Sequence, residues 1–257
     1  MSIFKYQNKD IYYEDIGEGE PLFFLHGNSA SSSMFDSIVD LYSKDYRVIR
    51  IDFLGHGRSE RLDGFPIELW YDEAMQTMAL MKHLHLGKVN LIGTSGGAWV
   101  AINVALETPD LVNKVIADSF DGRALTPDFP LRLRLNRAES KTNEHAIRFY
   151  ASCHGKDWEK IVDQDTESLL RFMEAKLPLF HKRLDGLNVP LLLTASKADD
   201  LIRSDREEEF DAIIREVREG KKHLFESGYH PAVVSNDREF ASIVKEFLSN
   251  GLINKAR

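Results

Sequence analysis

The sequence predicts an α/β fold built on a mostly parallel sheet, and three observations carry that reading. Short apolar runs alternate with longer stretches of helical period, the order expected when strands and crossover helices take turns along a chain. Several of the runs, Pro21-Leu22-Phe23-Phe24-Leu25 above all, are apolar at nearly every position, which suits a central strand covered on both faces. At 257 residues, 43% of them hydrophobic, the chain is long enough for one large core or two small ones.

Taken in order, Ser2 to Gln7 and Asp10 to Ile16 read as an antiparallel hairpin joined by Asn8-Lys9, placed at a sheet edge. Pro21 to Leu25 is the third strand, followed by Tyr46 to Ile51, Val89 to Ile92, Val112 to Ala117 and Val189 to Thr194. Between the last two the rhythm breaks. From Ser119 to Gly186 the signals are helical: Asn143 to Cys153, with Ala146, Tyr150 and Cys153 on one stripe, and Thr166 to Leu177, ended by Pro178. The alternation Leu131-Arg132-Leu133-Arg134-Leu135 fits either a strand or an extended entry to a helix. Long loops without structure of their own are uncommon. Residues 119–186 are therefore expected to form a helical cap or lid over a core made by 1–118 and 187–257. A charged helix around Arg203 to Glu219, an eighth strand at Lys221 to Ser227 and an amphipathic helix near Asp237 to Leu248 complete the pattern.

Composition narrows the partners. Thirty-three Lys and Arg against 41 Asp and Glu leave a formal charge of -8, which repels a phosphate backbone and argues against nucleic acid. The one cysteine, Cys153, cannot close an intrachain disulfide, and no Cys/His cluster has zinc-ligand spacing. Met1 to Asp10 lacks the apolar stretch of a signal peptide, and no 18-residue uncharged apolar run occurs, so a cytoplasmic protein without a membrane partner is expected. Gly17-Glu18-Gly19 lacks a third glycine and precedes a central strand, and no phosphate-binding G-x-x-x-x-G-K-[ST] loop is found; no cofactor and no metal are expected.

Chemistry concentrates at Gly93-Thr94-Ser95-Gly96-Gly97. This G-x-S-x-G stands between the strand Val89 to Ile92 and the apolar helix start Ala98-Trp99-Val100. Such a turn holds its central residue in a strained conformation, with glycines removing Cβ clashes on either side. The Ser95 hydroxyl is then presented at the carboxyl end of the sheet, beside helix N–H groups that favour negative charge. A serine needs a base, and the base needs a group to fix its tautomer. His83 and His85 cannot share a helix face, His223 lies within a strand, and His145, His154 and His181 read as surface or packing residues of the insertion. His230 stands apart, in the loop Ser227-Gly228-Tyr229-His230-Pro231 after the last strand, at the same sheet edge as Ser95. For the acid, the strand ending at Thr194 leads to Asp199 and Asp200; Asp118 and Asp121, after the sixth strand, are further candidates.

The order Ser, Asp, His, each after a different strand, resembles the α/β-hydrolase fold superfamily. The resemblance spans nearly the whole chain and rests on His26-Gly27-Asn28, on Asp52-Phe53-Leu54-Gly55-His56-Gly57-Arg58-Ser59, on the Ser95 turn and on the acid and His230 turns. It implies an eight-stranded sheet and a carboxylesterase-like serine hydrolase in which the N–H groups of Asn28 and Gly96 form the oxyanion hole. The Asp52 to Ser59 block corresponds to a structural turn. Similar hydrolases carry Gly-x-x-Asp after the seventh strand. Here Ala195 replaces the glycine and Ala198 is an extra residue, so counting back from Leu201-Ile202 selects Asp199 over Asp200.

The expected reaction is cleavage of an ester, or a related acyl bond, of a small and mostly apolar molecule by Ser95, His230 and Asp199. Haloalkane dehalogenases share His-Gly-Asn but need a carboxylate where Ser95 stands. Carbon–carbon bond hydrolases and cofactor-free haloperoxidases share the triad, and a ligand sensor that keeps it is the non-enzymatic alternative. In the insertion, Phe129, Phe149, Tyr150, Trp158, Phe172 and Phe180 read as core before they read as pocket lining. Arg132, Arg134 and Arg137 read as a solvated basic edge rather than a receptor for a substrate carboxylate. Residues expected to act together run from Asn28 to His230, so one core with an insertion replaces the two-domain alternative.

Overall fold

A computed structural model describes residues 2–249. Its eight strands are β1 (Ser2–Tyr6), β2 (Lys9–Ile16), β3 (Glu20–Leu25), β4 (Tyr46–Ile51), β5 (Val89–Thr94), β6 (Val112–Asp118), β7 (Leu191–Ser196) and β8 (Gly220–Phe225). They form one sheet in the order β1-β2-β4-β3-β5-β6-β7-β8. β2 runs antiparallel to β1 and β4, and every pairing from β4 to β8 is parallel. The loops leaving β3, β5, β6, β7 and β8 therefore emerge along one edge, which brings residues far apart in the chain together.

Register explains why the central strands are apolar on both faces of the sheet. Ile49, Phe23, Leu91, Val115 and Leu191 are successive partners across β4, β3, β5, β6 and β7, and all face one core cluster. Phe24, Ile92, Ile116 and Leu192 form the matching row on the opposite face. The first row is covered by helices α1 (Leu69–His83), α2 (Gly96–Glu107) and, later in the chain, the helix Arg206–Glu216. The second is covered by Phe240, Val244 and Phe247 of the last helix, Asp237–Ser249, together with Phe35 and Tyr42.

Between β6 and β7 lie α3 (Phe129–Ser140), α4 (Glu144–His154) and α5 (Trp158–Glu174). The Leu131 to Leu135 alternation is helical; Leu133 is buried, while Leu131 and Leu135 point to solvent at 61% and 62% exposure. Asn143 caps α4, its side chain accepting from the N–H groups of His145 and Ala146. α5 starts at Trp158, eight residues before the sequence pattern places it; its inner stripe Trp158, Ile161, Val162, Asp165, Ser168, Leu169 and Phe172 includes a carboxylate and a hydroxyl that interrupt the apolar period. α6 (Arg206–Glu216) lies between β7 and β8 in the chain and packs against β8; α7 (Ala232–Ser235) and α8 (Asp237–Ser249) end the described chain. The first hairpin turns at Gln7 and Asn8, both at positive φ, so β2 begins one residue earlier than expected. No helix among the described residues is long and apolar enough to cross a membrane.

Candidate active site

Ser95 closes the turn from β5 into α2 at φ 53°, ψ -122°, a conformation that costs about 1–3 kcal/mol for a residue with a Cβ. The neighbouring glycines make it possible. A Cβ on Gly97 would overlap the carbonyl oxygen of Leu25, and one on Gly93 would overlap that of Gly97, so strand, turn and helix could not close together. The Ser95 N–H donates to the carbonyl oxygen of Asp118 at 2.8 Å, which anchors the turn to the end of β6.

The turn His26-Gly27-Asn28, leaving β3, lies against the serine. A Cβ on Gly27 would sit 2.9 Å from Ser95 Cβ and 3.5 Å from its Oγ, and one on Gly96 would run into the Asn28 side chain. That side chain is clamped: its Oδ1 accepts from Trp70 Nε1 at 3.0 Å and its Nδ2 donates to Asp165 at 3.0 Å. The side-chain amide of Asn28 is thus spent on structure, held beside the N-terminus of α2. His26 is buried and neutral, with Nδ1 donating to the Gly27 carbonyl and Nε2 accepting from Phe53 N–H; burial and the neighbouring His56 hold it well below the ordinary histidine range.

After β7, Asp199 is buried and Asp200 is exposed. Asp199 Oδ2 meets His230 Nδ1 at 2.8 Å, and Oδ1 accepts from the Leu201 N–H at 3.0 Å. The loop that carries it is held by Arg206, which donates to the carbonyls of Ser196 and Lys197. Burial opposes the charged form of His230, but the bond to Asp199, its charge and those of Asp118 and Asp121 prevail, so its pKa is raised above 6.5. The contact to Asp199 takes up Nδ1 of the ring, so Nε2 is the nitrogen not engaged by the carboxylate.

Asp118 and Asp121, the other acid candidates, are otherwise engaged. Asp118 is fully buried; its carboxylate accepts from Thr94 and Thr194 hydroxyls at 2.8 Å and from the Val233 N–H at 3.1 Å. Burial pushes its pKa up to about 6 against the pull of those bonds. It ties the serine strand, the acid strand and the segment after His230 into one unit, and Ser119 adds a bond from Ala232 N–H at 2.9 Å. Asp121 is paired to Arg132 at 2.8 Å and to the Arg203 N–H at 2.6 Å.

Two further groups carry no sequence motif. His154, the last residue of α4, is buried and joins two core loops, accepting from Gly57 N–H and donating to the Ser29 carbonyl. Burial, with His56 beside it, pushes its pKa down to about 4. Asp165 of α5 is fully buried, bound to Asn28, Ser29 and Arg137; burial alone would raise its pKa, but His56, Arg137 and Asn28 bring it to about 2. The three arginines of α3 do not form the expected solvated basic edge. Arg137 turns inward to Asp165 and the Tyr150 hydroxyl, Arg132 binds Asp121 and Asp128, and Arg134 alone of the three stays exposed. Among the described residues no group of three or more His, Cys, Asp or Glu is arranged to hold a metal ion.

A family model described as alpha/beta hydrolase fold matches residues 20–139. The chain is 34% identical over 109 residues to the (E)-2-((N-methylformamido)methylene)succinate hydrolase of Acinetobacter baylyi, a match covering 42% of this chain and 40% of that protein. It is 24% identical to the serine hydrolase BPHL of Mus musculus, over 93% of this chain and 82% of the relative. Among solved structures, the meta-cleavage product hydrolase CumD of Pseudomonas fluorescens superposes with a TM-score of 0.75 at 18% identity, covering 97% of this chain and 98% of that one.

Proposed function

Because the chain belongs to the α/β-hydrolase fold superfamily, we propose that it is a serine hydrolase acting on a carboxylic ester, or a related acyl bond, of a small and mostly apolar molecule. The observation that carries this reading is the 2.8 Å bond between His230 and buried Asp199, on the sheet edge where Ser95 stands at its strained turn.

Ser95 Oγ attacks the substrate carbonyl while His230 Nε2 takes the hydroxyl proton. The carbonyl oxygen gains negative charge, which the backbone N–H groups of Asn28 and Gly96 stabilise at roughly 3 kcal/mol each. His230 passes its proton to the leaving alcohol, and an acyl group remains on Ser95. Water, deprotonated by His230, attacks that acyl group; the acid leaves and Ser95 regains its proton. Asp199 holds the imidazole in its working tautomer throughout and offsets its transient positive charge. The helices α3 to α5 form a cap whose inner surface selects the acyl and alcohol groups.

Short and medium p-nitrophenyl acyl esters test this directly. Wild type is expected to hydrolyse at least one, and Ser95→Ala to abolish that turnover; equal inertness of both across esters, thioesters and lactones would overturn it. Carbon–carbon bond hydrolysis on the same residues is the second reading, supported by the likeness to a meta-cleavage product hydrolase. Turnover of a meta-cleavage product in preference to every ester would favour it.

A further inference from the structure

The three helices of the inserted segment converge on one buried carboxylate. Asp165 comes from α5; Arg137, from α3, donates to its Oδ1 at 3.2 Å; and the same Arg137 donates to the Tyr150 hydroxyl of α4 at 2.5 Å. The hydrogen-bond partners of Asp165 in the core are in the turn after β3, where Ser29 Oγ donates to Oδ1 at 2.8 Å and Asn28 Nδ2 to Oδ2 at 3.0 Å, and the buried His56 ring lies beside the same carboxylate, Nε2 at 3.9 Å from Oδ2. Asn28 is fixed from its far side by Trp70 of α1.

We infer that Asp165 is a positioning residue of the reaction: through Asn28 and Ser29 it sets where the Asn28 N–H points, and so couples the seating of the inserted helices to the oxyanion hole. The inference rests on the serine hydrolase reading above. Counting donors and acceptors shows why a carboxylate is required. Arg137 and Asn28 present N–H groups to different oxygens of Asp165, and Asn28 cannot turn its amide over without setting its NH2 against the Trp70 N–H. Only a side chain with acceptors at both positions satisfies the set. An amide at 165 faces at least one N–H with its own NH2 whichever way it lies, and the turn shifts to relieve the conflict. A misplaced oxyanion donor weakens binding of the transition state and leaves substrate binding largely intact, so the loss falls on kcat.

The test compares wild type, Asp165→Asn and Ser29→Ala on a p-nitrophenyl ester, with fluorophosphonate labelling of Ser95 alongside. Removing an oxyanion donor outright lowers kcat by about 10²–10³, so a displaced one in Asp165→Asn is expected to cost roughly tenfold or more. KM should stay within about threefold, and the pH midpoint of kcat/KM should not move, since His230 and Asp199 are untouched. A folded Asp165→Asn with wild-type kcat, or with a loss confined to KM, overturns the inference. If Asp165→Asn does not fold, Ser29→Ala decides: a fall in kcat of about threefold or more at constant KM supports the coupling, and an unchanged kcat overturns it. A wild type that neither turns over ester nor takes the label brings down the hydrolase reading and this one with it. An active wild type with both variants unaffected brings down this one alone.

Discussion

Asp118 receives the Ser95 N–H on its carbonyl oxygen at 2.8 Å and the Val233 N–H on its carboxylate at 3.1 Å, so one residue of β6 holds both the Ser95 turn and the segment that follows His230. Thr94 and Thr194 brace the same carboxylate from the neighbouring strands. Replacing it with alanine leaves the Val233 N–H buried without an acceptor. Asp118→Ala is expected to lose about 1–3 kcal/mol in denaturant unfolding, and activity with it. Asp118→Asn keeps an acceptor for Val233 but removes a negative charge that favours the His230 imidazolium, so its kcat/KM profile should have a lower pH midpoint than wild type. Coincident profiles would show that Asp118 exerts no field on the base.

In the proposed reaction His230 must be neutral to accept the Ser95 proton, and its surroundings raise its pKa above 6.5. Activity should therefore rise with pH through a midpoint above that value, and the esterase pH profile reads it directly. Asp199→Asn removes the largest contribution favouring the imidazolium. It should move the midpoint down and reduce kcat by about 10⁴, as expected when the wrong tautomer is held. Asp200→Asn, at an exposed position, should leave both unchanged, and a large loss there would reassign the acid.

Gly97 has no room for a methyl group, because a Cβ there would overlap the carbonyl oxygen of Leu25. Gly97→Ala should open the turn between β5 and α2, with loss of fluorophosphonate labelling at Ser95 and destabilisation of about 1–3 kcal/mol. A labelled, stable variant would show that the turn tolerates more movement than its packing implies.

His154 gives a pH dependence of stability separate from catalysis. It is neutral in the fold, with a pKa of about 4, and titrates near 6.5 once unfolded. The unfolded chain therefore binds the extra proton first as pH falls, and stability is lost between about pH 6.5 and 4, by roughly 3 kcal/mol from this group. Asp118, with its raised pKa, works in the opposite direction over part of that range. His154→Gln can keep both hydrogen bonds without titrating, so its unfolding free energy should fall less steeply over the window. Parallel slopes for wild type and variant would exclude His154 as the source.

The sheet was legible because its signals are local: five short runs dominated by apolar residues and a G-x-S-x-G between a strand and a helix suffice to order the core. Asp199 and His230 were legible for a similar reason, each lying in a loop just after a strand that ends on the Ser95 edge. Asp165 was not. Its role depends on partners more than 130 residues away, Asn28 and Ser29, and its one local sign is a carboxylate within a mostly apolar helical stripe from Trp158 to Phe172. A helix begun at Thr166 leaves that sign out. The arginines of α3 misled because Leu-Arg alternation looks the same whether a guanidinium meets water or, like Arg137, a buried acid.

The arrangement around Asn28 bears on how such a protein could be rebuilt. The inserted helices look exchangeable, since they enter and leave between two strands without breaking the sheet. Yet a graft that brought in foreign helices lacking a carboxylate opposite Asn28 and Ser29 would leave two inward-facing donors in the recipient core unanswered. Transplanting a new specificity onto this scaffold would require carrying Asp165 and Arg137 across as fixed points, or redesigning the β3 turn along with the helices.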